Sequence, residues 1–151
     1  MMNALPILIQ PHPLLHAQSR DVLEGMQPDR FIDAMRSTVR HHKALGLAAI
    51  QVGIPLRIMC LNVEATRFPF YALMNPQIVW SSEETAEQRE YCLSSPGQAR
   101  MVTRPTSIKL TFLDRQFREH GMEAKGLAAR VIQHEMDHFD GRTLGMMGMV
   151  Q

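Results

Sequence analysis

Gln133-His134-Glu135-Met136-Asp137-His138 lies within a periodic run from about Leu127 to Phe139, with Gly126 before it and Gly141 after it. Those flanks and the period predict a helix. The two histidines are four residues apart, so the helical repeat stacks them on one face, one turn apart, where both imidazoles can reach a single ion. Glu135 is offset around the helix. It can approach a water held by that ion without ligating the ion itself, and accept the proton as the water attacks. Such an arrangement suits hydrolysis of an acyl bond. A chance match of five residues would leave the same histidines as ordinary helix residues, so the reading depends on a third ligand elsewhere.

Working outward from this helix, residues 28–45 place Phe31, Ile32, Met35, Val39 and Ala44 among charges, which predicts an amphipathic helix with Pro28 near its first turn. From Leu47 to Asp114 the pattern shortens to strand-like runs, Arg57 to Val63, Phe70 to Met74, Gln77 to Trp80 and Ser107 to Leu113. Ser81 to Arg89 is polar and Glu-rich, and is expected to be a solvated hairpin loop. The expected fold class is α+β, with antiparallel sheets packed around a central C-terminal helix that carries the H-E-x-x-H motif. Residues 142–151 show no strong periodicity and are expected to be irregular, with Met146, Met147 and Met149 decorating a loose tail.

At 151 residues, with 45% apolar and 21% charged residues, the chain is expected to form one domain, residues 1–151. A formal charge of +1 with scattered Lys and Arg offers no basic stripe for nucleic acid. The run Leu5 to Ile9 is broken by Pro6 and is too short for a membrane span, so a cytoplasmic protein is the expectation. Cys60, within Arg57 to Val63, reads as a small apolar core residue.

The third ligand is sought downstream first, because metalloproteases with this helix take a histidine six residues after the second one, or a carboxylate from a later helix. Here that position is Leu144, and the residues given after Asp140 contain no acid or histidine. An upstream donor is therefore required. Cys92 leads, since a thiolate binds such metals tightly and Glu90-Tyr91-Cys92-Leu93-Ser94 reads as a turn-flanked strand before Pro96-Gly97. His12, His16, His41, His42 and His120 remain alternatives.

Three motifs in order then resemble the peptide deformylases, which remove the formyl group from the N-terminal methionine of new bacterial proteins. The family's G-x-G-L-A-A-x-Q stands here as Ala44-Leu45-Gly46-Leu47-Ala48-Ala49-Ile50-Gln51, its E-G-C-L-S as Glu90-Tyr91-Cys92-Leu93-Ser94, and its Q-H-E-x-D-H is intact at residues 133–138. His12-Pro13-Leu14-Leu15 is similar to the family's opening segment. The resemblance implies that Cys92, His134 and His138 hold one divalent metal, natively Fe(II) and replaceable by Zn, Ni or Co. It makes Glu135 the general base and acid, and has Gln51 and the backbone N–H of Leu93 steady the oxyanion. It implies that Gly46 leaves room for the substrate backbone, and that Glu90 and Arg104 brace the site from behind. The implied partner is a formylated peptide or nascent-chain N-terminus, and with it the ribosome, with no nucleic-acid or membrane site.

Two positions depart from the family pattern. Tyr91 replaces the glycine before the metal cysteine. In a regular strand its ring points away from Cys92; if the backbone there must be approached closely, the ring narrows the cleft. The alternative function follows from the second case: a deformylase-like metal-binding protein whose formyl-peptide activity Tyr91 alters or abolishes. Ala44 replaces the first glycine of the first motif, which matters only if that position needs a positive φ.

Overall fold

The computed structural model of the chain describes residues 3–148, so Met149 of the expected loose tail lies outside the described residues. The elements are α1 (Asp29–His42), β1 (Gly46–Ala48), β2 (Ile58–Leu61), the single turn α2 (Val63–Thr66), β3 (Ala72–Ser81), β4 (Thr85–Glu90), β5 (Arg100–Pro105), β6 (Ser107–Leu113), β7 (Glu119–Lys125) and α3 (Gly126–Phe139). A 3-10 turn at Ala49–Val52 and another at Leu144–Met146 flank these in space.

The strands form a five-stranded sheet in the order β1-β2-β3-β6-β7 and a separate two-stranded ribbon, β4-β5, every pairing antiparallel. Strand β2 is buried throughout, and its alternation decides the layering. Met59 and Leu61 pack into the core that α3 shares, while Ile58 and Cys60 pack into the core that α1 shares. Fully burying such a side chain contributes roughly 1.5–3 kcal/mol, so the strand is clamped from both faces. Helix α1 supplies Ile32, Met35 and Val39 to its side. Asp29 in its first turn and Arg40, His41 and His42 in its last suit the helix dipole.

Helix α3 lies between the large sheet and the ribbon, and is buried around most of its circumference. This is the expected α+β arrangement of antiparallel sheets about a C-terminal helix. Its end is set by Gly141, at φ 75°, where an added Cβ would lie 2.4 Å from the carbonyl oxygen of His16. Only glycine fits there.

Several local expectations are corrected. Ser81 to Arg89 is not a loop, since β3 runs to Ser81 and β4 begins at Thr85. The ribbon exposes most of its β4 side chains, so the strand carries charges and lacks the apolar alternation that would have marked it. Conversely, the strand expected across Glu90 to Ser94 stops at Glu90, and Cys92 enters a turn in which its carbonyl accepts from the Ser95 N–H at 3.0 Å. The break at Asn75-Pro76 is an irregularity within β3: Asn75 sits at φ 50° and its amide bonds both backbone groups of Val22. Helix α1 ends before Ala44 because Lys43 takes the left-handed conformation at φ 52°. Met147 is not loose but 1% exposed, packed with Cys92, Val102 and Leu144. No helix among the described residues is long and apolar enough to cross a membrane.

Candidate metal centre

Helix α3 presents His134 and His138 on one stripe, and the turn after β4 delivers Cys92 to it. The ligating atoms of Cys92, His134 and His138 all lie within 4.8 Å of one another, the one such group among the described residues. Cys92 Sγ is 3.3 Å from His138 Nε2. Tetrahedral sites with bonds of about 2.0–2.3 Å place their ligand atoms roughly 3.5 Å apart, so these three donors would suit a divalent ion. None of His12, His16, His41, His42 and His120 belongs to that group. His12 accepts from the Leu14 N–H, His120 pairs with Asp114 at 2.8 Å, and His41 and His42 stack edge to face on each other.

Behind the donors, Glu90 Oε1 accepts from His134 Nδ1 at 2.8 Å, which leaves Nε2 free to face an ion. Arg104 grips the same carboxylate through Nε at 2.7 Å and Nη2 at 2.9 Å, and reaches Asp137 through Nη1 at 2.9 Å. Burial acts to raise the Glu90 pKa, but hydrogen bonds from His134 and Arg104 outweigh it and hold the carboxyl down to about 2. The two residues expected to brace the site thus sit where they can do so.

Glu135 is 3% exposed, and its Oε1 has no hydrogen-bond partner among the described residues. Burial pushes its pKa up to about 7, against the lowering charges of His134 and Arg104. A buried carboxylate oxygen without a partner, beside three converging donors, fits a group held by an ion there. Gln51, 2% exposed, accepts from the Ala48 N–H through Oε1, and its Nε2 lies 3.1 Å from Ser94 Oγ and 3.5 Å from Cys92 Sγ. The N-terminal segment secures both turns: Leu8 N–H donates to Gln51 O and Gln10 N–H to Ser94 O.

Gln51, Glu90, Cys92, His134 and Glu135 line a cavity of about 230 Å³ with Leu45, Gly46, Leu93, Leu127 and Val131. At Gly46 an added Cβ would lie 2.8 Å from Val131 Cγ1 and 2.9 Å from Glu135 Oε2. The glycine therefore makes room for the glutamate itself. Gly46→Ala is expected to displace that carboxylate and lower kcat/KM by roughly 10- to 100-fold, with metal content unchanged, as steady-state kinetics and metal analysis on one preparation would show. Ala44 is not among the residues with positive φ, so its methyl is accommodated. Tyr91 is 68% exposed at the cavity rim and does not pack beneath the site.

Sequence reasoning missed Arg130, Ser94 and Asp137. Arg130 left a signal: it is the lone charge in Leu127 to Ile132, one helical turn before His134 and on the same face.

The family model for polypeptide deformylase matches residues 4–146. A peptide deformylase of Rickettsia canadensis is 41% identical over 151 residues, covering 95% of this chain and 86% of the relative. The crystal structure of Ehrlichia chaffeensis peptide deformylase in complex with actinonin superposes with a TM-score of 0.87 at 35% identity, over 97% of this chain and 89% of the other. A Met-Ala-Ser-bound class I type b peptide deformylase from Acinetobacter baumannii gives 0.86 at 27% identity, over 97% and 99%.

Proposed function

The chain belongs to the peptide deformylase family, and we propose from that premise that it is a metal-dependent hydrolase that removes the formyl group from formyl-methionyl peptides or nascent proteins. The observation that carries this reading is the convergence of Cys92, His134 and His138 within 4.8 Å of one another, beside a cavity that Cys92, His134 and Glu135 line. We propose Fe(II) as the native ion, with Zn, Ni or Co able to substitute, because one thiolate and two imidazoles suit them all. Held by Cys92, His134 and His138, the ion would supply Lewis acidity for the attack of water on the formyl carbonyl.

The protein's own groups do the rest. Glu135 takes the proton of the attacking water as the C–O bond forms, and returns it to the nitrogen as the C–N bond breaks. Gln51 Nε2 and the Leu93 N–H donate to the oxygen that gains charge in between. Formate and a free amino terminus leave. The proposed setting is the cytoplasm, with residues 1–151 acting as one catalytic domain on N-termini emerging from the ribosome.

The test is release of formate from formyl-Met-Ala-Ser by metal-defined protein handled anaerobically, since ferrous iron beside a thiolate oxidises readily. Cleavage by the iron, nickel or cobalt form is expected. Metal-loaded protein that releases no formate overturns the reading. Tyr91 stands at the cavity rim with 68% of its surface exposed, and Tyr91→Gly is expected to change kcat/KM on this peptide by less than about threefold, a surface-sized effect. A large gain would restore obstruction as the explanation.

A further inference from the structure

Arg130 has no part in the reading above, yet it is one of the most fully engaged side chains near the site. It is 8% exposed, on α3, one turn before His134 and two before His138. Its Nη1 donates to Glu90 Oε2 at 2.5 Å and to the Val102 carbonyl at 3.0 Å, and its Nη2 donates to the Ala86 carbonyl at 2.8 Å. Ala86 belongs to β4 and Val102 to β5, so one guanidinium grips both strands of the ribbon and the carboxylate that orients His134.

That combination matters because of how the donors are delivered. The ribbon has no strand neighbour in the large sheet, and a two-stranded pair is marginal alone. Its placement depends on what it docks against, which here is α3. Cys92 follows β4 by two residues, whereas both histidines come from α3, so the distance between thiolate and imidazoles is set by that docking. Glu90 is fixed at both oxygens: Oε1 takes His134 and Arg104, and Oε2 takes Arg104 and Arg130. Without Arg130, one guanidinium would hold the carboxylate from a single side and the strand carbonyls would lose a charged donor.

We propose that Arg130 is a positioning residue of the metal centre, which locks the Cys92-bearing ribbon and the Glu90–His134 pair into one geometry. The proposal rests on the metal-hydrolase reading and deepens it.

Outer partners of metal ligands typically govern 10- to 100-fold in affinity. Titration of metal-free protein with Co(II), followed by the thiolate-to-cobalt absorption band, is therefore expected to show Arg130→Leu binding roughly 10- to 100-fold more weakly, with the band shifted. Arg130→Lys keeps the charge but lacks the planar fork needed for three acceptors, and should fall between. In a Glu90→Gln background the loss should be smaller than in the wild type, because the shared acceptor is already altered. A folded Arg130→Leu protein with wild-type Co(II) affinity and spectrum overturns the proposal, even if its metal-free form melts earlier. Should Arg130→Leu fail to fold, wild-type Co(II) affinity and spectrum in Arg130→Lys overturn it instead. Failure of the wild-type protein to give a thiolate–cobalt band would refute the metal-centre reading beneath it.

Discussion

Glu135→Gln is expected to bind metal as the wild type does and to lose turnover by roughly 10²- to 10⁴-fold, the range that a positioned general base contributes. The amide matches the carboxylate in volume, so the packing that Gly46 and Val131 provide around it survives. It cannot carry a proton between water and amine. The measurement is kcat/KM for a formyl-methionyl peptide alongside metal content. Full activity, or loss of metal in step with activity, would each remove Glu135 from the proposed role. A second readout needs no metal. Burial raises the Glu135 pKa to about 7 from a usual 4.5, so the folded protein holds this proton more tightly than the unfolded chain. Stability from this group is present below pH 4.5 and is lost as pH rises through 7. The metal-free Glu135→Gln protein should lack that decline and melt higher than the metal-free parent above pH 7.

The helix that carries the motif could be read from sequence because its period, its glycines and its chemistry all agree. Cys92 could be read for a different reason: it stands in a second short motif, Glu90 to Ser94, ahead of Pro96-Gly97. Strands failed where local pattern and tertiary role diverge. Thr85 to Glu90 exposes most of its residues and so presents a polar, partly charged pattern, and β7, with Glu119, Glu123 and Lys125 exposed, hides its strand character in the same way. β7 pairs with its chain neighbour β6, whereas β4 is also held by Arg130, far along the sequence. The bracing of the site is also non-local. Glu90 is 40 residues from Arg130 and 44 from His134 in the chain, and only the docked ribbon brings the three together. In sequence Arg130 stands out only as a lone charge in an apolar stretch, because its acceptors belong to strands that the fold alone brings alongside.

Cys92→Ala is expected to weaken metal binding by more than roughly 100-fold, beyond the upper end of what losing an outer partner costs, whereas Cys60→Ala should bind normally. The two thiols differ in surroundings, and the difference decides their chemistry. Cys60 is fully buried in β2, and burial pushes its pKa up to about 12, so it stays a neutral thiol and behaves as a small apolar side chain. Cys92 is 8% exposed on the cavity wall, 3.3 Å from His138 Nε2 and 3.5 Å from Gln51 Nε2, where its sulfur can reach an ion shared with the imidazoles. Serine is no substitute, since its hydroxyl keeps its proton at neutral pH, so Cys92→Ser should resemble Cys92→Ala. Equilibrium dialysis against Zn(II) or Co(II) with a competing chelator gives the affinities. Its outcome separates two sites: retention of one equivalent by Cys92→Ala at wild-type affinity would mean that the third ligand lies elsewhere. Loss in Cys92→Ala with retention in Cys60→Ala would tie the ion to the turn after β4, and with it the dependence of the whole centre on how the ribbon is held against α3.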